Sequence, residues 1–204
     1  MAVIEWSVAG ETKPGEVRSG DHYLVEGSNG GMLLAAVDSL GHGESAAEIA
    51  ERAVNCLKGH INGSLVSILH ACQKQLKGTR GVVLSLALLN ASDSTLTWLG
   101  VGNVTGVLIR GDASATPRQE FLLLRSGVVG DRLPPLASST VPINFGDVLI
   151  FATDGVRDGF LEDTNTSAST QEIARQIIER HWRKIDDALV LVARYVYKSN
   201  VAHN

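Results

Sequence analysis

The chain has almost no cysteine, no clustered positive charge and no long apolar run, and each lack excludes a class of protein. Its two cysteines, Cys56 and Cys72, fall on the apolar faces of expected helices. They read as small core residues in a reducing compartment, the cytoplasm, rather than as a disulfide or a metal pair. The formal net charge is -4, and no group of Lys and Arg reverses it locally, so no nucleic-acid surface is expected. No stretch approaches the ~20 apolar residues of a membrane span. The first residues have no basic start and carry Glu5 inside their only apolar run, which excludes a signal peptide. Repeats, low-complexity tracts and charge blocks are missing. So are HExxH, the phosphate-binding GxxxxGKS loop, the GxSxG elbow and the Rossmann glycine pattern. The histidines, from His22 to His203, are scattered and fit no zinc spacing.

What is present is enough for one domain spanning 1–204. A chain this long loses roughly 70% of its unfolded surface on folding and needs no staples. Val3 to Ala9 reads as a first strand, and Val17 to Glu26 as a second with a kink at Gly20. Ser28-Asn29-Gly30-Gly31 is hairpin chemistry leading into Leu33–Val37, a strand apolar on both faces. Helical spacing follows. Ser45 and Glu48 form a capping-box pattern ahead of an apolar stripe closed by Lys58-Gly59. A second stripe starts near Ser64 and closes at Lys77-Gly78. Strands are expected over 82–89, 96–101, 104–110 and 120–124, with Gly102-Asn103 as a tight hairpin. A Gly- and Pro-rich loop over 126–136, a short strand near Thr140, the apolar strand Val148–Thr153 and a helical turn over 156–160 come next. A helix capped by Ser169 and a last strand over 189–196 complete the chain. Strands outnumber helices and the helices come in groups. That predicts an α+β fold of mainly antiparallel sheets with helices packed outside.

Four acids sit where such strands end beside small residues: Asp21, Asp38, Asp154 and Asp186. Asp38 in LLAAVDSLGHG is open to two readings, a metal carboxylate or a turn acid that caps the following helix. Asp154-Gly155 repeats the same ending after a second apolar strand, which favours the metal. Carboxylates crowded together without a cation would protonate, because like charges raise one another's pKa. An all-oxygen ligand set points to Mg²⁺ or Mn²⁺ rather than Zn²⁺. Two such ions lower the pKa of a shared water and offset charge on phosphoryl oxygens, so hydrolysis of a phosphate ester is expected.

VDSLGHG (37–43), ATDGVRDGF (152–160) and DDALVLVARY (186–195) resemble the signature blocks of the metal-dependent protein phosphatases of type 2C. With RSGDHYLVE (18–26), GHGESAAEIA (41–50) and GVGNVTGVL (100–108), the resemblance covers nearly the whole chain, in order, and is nearest to the short SpoIIE-like bacterial branch. It implies a four-layer α-β-β-α sandwich with two sheets between helix pairs, and a protein-serine/threonine phosphatase. It assigns roles residue by residue. Asp38 would bridge two metals, with the Ser39 backbone carbonyl in the place of the family's glycine. Asp154 and Asp186 would each hold a metal, with Asp187 beside them. Asp21 would act directly or through a water. Arg18 would be a phosphate contact, and with Asp38 and Asp154 it completes the expected catalytic set. His42 lies further from Asp38 than the general-acid histidine of larger members, so that role does not transfer. The small size, with the GVGNV and SGVVG stretches, makes the chain resemble most the stressosome feedback phosphatases of this branch, and that resemblance implies phosphorylated stressosome proteins carrying STAS domains as substrates. A scaffold with a lapsed site and a phosphatase of small metabolites are the competing readings.

Overall fold

In this computed structural model, which describes residues 2–197, the strand bearing Asp38 is the spine of one sheet and shows why the acids meet. β3 (Gly31–Ser39) alternates its side chains between two cores. Leu33, Ala35 and Val37 face the core under the helices. Leu34 and Ala36 face the core between the two sheets. The period of two therefore turns Asp38 into the space between the sheets, at the point where β3 ends.

β3 pairs with β2 (Asp21–Ser28) through the expected hairpin, and the register sets Asp21 directly opposite Asp38. β4 (Val82–Asn90) and β5 (Thr95–Val101) follow in antiparallel order. The other sheet runs β1 (Ala2–Glu11), β11 (Ala188–Tyr197), β10 (Val148–Ala152), β6 (Thr105–Ile109), β7 (Gln119–Phe121). Because β10 and β11 are antiparallel, the end of β10 lies beside the start of β11. Asp154 follows the first and Asp186 precedes the second, so both fall at the same edge. Leu149, Phe151, Leu189 and Leu191 from this sheet fill the space between the sheets, against Leu34, Leu96 and Trp98 from the other.

On the first sheet lie α1 (Glu44–Gly59) and α2 (Leu65–Gln75), whose apolar stripes bury Ala50, Ala53, Leu57, Ile68, Leu69 and Cys72. Cys56 and Cys72 are both free and buried, and burial, followed by the neighbouring Cys56, pushes the Cys72 thiol well up. The second sheet is covered by α3 (Thr170–His181) through Ile173, Ala174, Ile177 and Ile178. The architecture is thus the expected two-sheet α+β sandwich, with a helix pair on one face and, among the described residues, a single helix on the other. The stretch 156–160, expected as a helical turn, is a bridge followed by turns; Val156 pairs with Trp182 and packs with Phe160 under α3.

Ser169 caps α3, accepting from the Glu172 amide as its pattern predicts, and Ser64, near which the second helix is expected to start, caps α2, accepting from the Ser67 amide. The capping box at Ser45 does not form. The chain enters α1 two residues earlier, from Gly43 at φ 74, and the amides of Ala46 and Ala47 donate to the Gly43 carbonyl. The segment 17–20, expected as strand, is a run of bends.

Two further differences shape the site. Gly102-Asn103 is not a hairpin turn: β5 and β6 belong to different sheets, and this link crosses from one to the other. Gly102 takes φ +97, and a Cβ there would overlap the Val83 side chain. The expected strand over 120–124 is likewise divided. Its first part is β7, paired with β6, and its last is β8 (Leu124–Arg125), paired in parallel with β5. β9 (Ser139–Pro142) closes the antiparallel edge on β5.

Candidate metal centre

Asp38, Asp154 and Asp186 line one open cleft of about 470 Å³, together with Gly41, His42, Gly102, Asn103 and the Ser126–Val128 segment. Asp21 is buried behind them. Three links fix these acids across the two sheets. The Thr153 hydroxyl donates to Asp21 Oδ2 at 2.6 Å and accepts from the Leu189 amide at 2.8 Å, tying β2 to β10 and β11. The alternation that puts Leu149 and Phe151 between the sheets puts Thr153 there too. Asn103 Nδ2 donates to Asp154 Oδ2 at 2.8 Å, which the crossing at Gly102 makes possible. Asp187 is buried, and its two oxygens accept from the Lys13 and Gly20 amides, both at 2.8 Å. It therefore anchors the loop that delivers Asp21, rather than facing the cleft. That anchoring bends the chain before β2, and it accounts for the lost strand at 17–20.

The electrostatics report the crowding. Burial, and then the charges of Asp21, Asp154, Asp186 and Asp187, push the Asp38 carboxyl up to about 9. Burial is also the first cause at Asp21, which rises to about 7; the Thr153 hydrogen bond opposes the rise, and Asp187, Asp154 and Asp186 add to it. Carboxyls in such a state hold protons near neutral pH unless a cation replaces them. The donor set is all carboxylate, which fits a hard divalent cation. The Ser39 hydroxyl is buried with no partner. Strand alternation turns it away from Asp38, which leaves the backbone oxygen as the group Ser39 has to offer. Among the described residues, no three of these side chains already close on a single point that would hold an ion.

Arg18 is not brought to the acids. Its guanidinium pairs with Glu44 and Glu51 on α1. His42 lines the cleft and is held by Glu16 at 2.6 Å. The sequence reading missed Thr153, Asn103 and the anchoring by Asp187. Thr153 was within reach of the alternation rule; Asn103 was hidden by the hairpin reading.

The fold and the sequence both have relatives. The phosphoserine phosphatase RsbX of Bacillus subtilis (strain 168) is 24% identical over 144 residues, covering 71% of this chain and 70% of the relative. A chain solved in work on the bacterial stressosome, as a modular system adapted to control secondary messenger signaling, superposes with a TM-score of 0.85 at 29% identity. That match covers 94% of this chain and 100% of the other. RsbX in complex with magnesium superposes with a TM-score of 0.83 at 20% identity, over 94% of this chain and 95% of that one, and so shares the fold. Residues 28–198 match the family described as Stage II sporulation protein E (SpoIIE), and the chain belongs to that family.

Proposed function

We propose that this chain is a metal-dependent protein phosphatase that hydrolyses phosphoserine or phosphothreonine on partner proteins. The observation that carries the reading is that Asp38, Asp154 and Asp186, far apart in sequence, line one open cleft. When bound, Mn²⁺ or Mg²⁺, two ions in our reading, supplies Lewis acidity and a water of lowered pKa. Asp38, facing Asp21 across the hairpin and reaching the cleft, would be the shared ligand, and Asp154 and Asp186 would each hold an ion. The Ser39 carbonyl and Asp21 complete the set, Asp21 directly or through a water. Asn103 orients Asp154 as an outer partner orients a ligand. To hold a metal the carboxyls of Asp38 and Asp21 would have to give up their protons.

The cleft favours a protein substrate. It is open, and its Ser126–Val128 wall is shared with a second cleft of about 710 Å³ lined by Arg132, Leu133, Pro134 and Pro135. The partner class we assign is phosphorylated stressosome proteins carrying STAS domains, met in the cytoplasm. The RsbX relative and the stressosome chain support that choice.

The test is phosphate release from a phosphorylated STAS-domain protein with Mn²⁺, with EDTA, and with Asp38→Asn. We expect turnover that needs metal and is nearly lost in the variant. Metal-independent turnover, or full activity of Asp38→Asn, would end the reading.

A further inference from the structure

With Arg18 engaged by α1, no Lys or Arg among the described residues lines the candidate cleft. A second guanidinium stands nearer. Arg80, in the link between α2 and β4, lies on the backbone of Gly41. A Cβ at Gly41 would overlap its Nη1 and stand 3.2 Å from its Cζ. Gly41 is part of the cleft wall, beside His42 and three residues after Asp38. Its φ of +97 already favours glycine, and the guanidinium lying against it is a second reason for no side chain.

The backbone on both sides of Arg80 is fixed. The Thr79 hydroxyl donates to the Leu76 carbonyl and accepts from the Gly81 amide at 3.1 Å. The Leu40 amide donates to the Gly81 carbonyl at 3.2 Å, joining this link to the turn that carries Gly41. Among the described residues the exposed Arg80 guanidinium has no acid or carbonyl partner. This sets it apart from Arg18, held by two glutamates, and from Arg110, held by Asp147 and Glu120. An exposed guanidinium lying against Gly41, itself part of a cleft walled by three acids, and paired with none of those acids, is available to an anion that arrives from solution.

We propose that Arg80 is the phosphate-binding residue of this site, donating to the phosphoryl oxygens of the substrate from the Gly41 side of the cleft. A guanidinium presents paired N–H groups that match two phosphoryl oxygens, which an ammonium does not. The acids of the cleft repel a phosphate by themselves, so a positive group beside the cleft, on a fixed stretch of backbone, serves capture and, once bonded to the phosphoryl oxygens, orientation. The assignment rests on the phosphatase reading for its role in turnover; phosphate binding can be measured independently.

The experiment uses the full chain, loaded with Mn²⁺, and inorganic phosphate as the probe, read by calorimetry and by inhibition of p-nitrophenyl phosphate hydrolysis. Arg80→Gln is expected to weaken phosphate about ten- to a hundredfold, the scale of a charged hydrogen-bonding pair, and to raise KM for the phosphoprotein. Arg80→Lys falls between, Arg18→Gln leaves phosphate affinity in place, and Mn²⁺ affinity and melting temperature do not move in Arg80→Gln. Equal phosphate affinity in Arg80→Gln and the unaltered chain overturns the assignment, as does a loss confined to Arg18→Gln. If Arg80→Gln loses phosphate affinity while the unaltered chain hydrolyses no phosphoprotein, Arg80 stands and the phosphatase reading falls.

Discussion

The two ends of β10 each carry an acid, and they solve the problem of a negative charge in opposite ways. At the start, Asp147 is fully buried and every demand on it is met inside the chain. Arg110 Nη1 donates to Oδ2 at 2.7 Å, and the amides of Gly111 and Asn144 donate at 2.8 and 3.0 Å. Glu120 takes the other arm of the same guanidinium. At the far end, Asp154 joins Asp38, Asp186 and the buried Asp21, and among the described residues their donors are Asn103, Thr153 and a backbone amide, with no guanidinium. One cluster is paired with its own arginine and serves the fold. In the other, burial first, with the neighbouring acids adding to it, raises Asp38 to about 9 and Asp21 to about 7. The same residue type at two ends of one strand thus differs in whether the chain supplies a counter-charge.

The contrast is tested most strongly by paired substitutions. Asp38→Asn lowers phosphoprotein turnover by more than about a hundredfold, beyond what outer partners of metal ligands cost. It leaves the fold intact, as judged by circular dichroism. Asp147→Ala does the reverse. It exposes the buried Arg110 charge and lowers unfolding stability by about 3–5 kcal/mol in urea titration, while Mn²⁺ affinity stays where it was. If both substitutions cost stability alike and neither touches metal binding, the two ends are not different in kind.

The acidic end also predicts a pH slope. In the metal-free protein, Asp38 and Asp21, raised to about 9 and about 7, keep protons that the unfolded chain has released above roughly pH 4. Their contribution is therefore complete below that pH and is lost as pH rises through about 7 and then about 9. Melting temperature in EDTA should fall over that span, Mn²⁺ should restore it most at the alkaline side, and Asp38→Asn should flatten the slope. A flat profile in EDTA contradicts the crowding. The smallest effect is expected from Asn103→Ala, a weakening of Mn²⁺ affinity of about tenfold by calorimetry.

Much of this was legible in the sequence. Asp38 and Asp154 could be singled out because each follows a run that is apolar on both faces, and the repeated ending brought both to one edge. Most strands, the start of α2 near Ser64 and the cap at Ser169 followed from local pattern. What escaped was set by contacts between distant segments. Arg18 looks free in sequence, and only the packing of α1 beside it reveals Glu44 and Glu51. Ser45 had the pattern of a cap, but Gly43 in a left-handed conformation began the helix first. Gly102-Asn103 has the length of a hairpin, and no local signal says that the next strand belongs to the other sheet. That one crossing carries Asn103 to Asp154.

The central claim is that the acids at this edge gather divalent cations. It is tested most directly by anomalous diffraction from crystals grown with Mn²⁺. The account predicts manganese peaks in the cleft, with Asp38 reaching them and Asp154 and Asp186 among their ligands. Crystals at saturating Mn²⁺ with no peak between these carboxylates would contradict it.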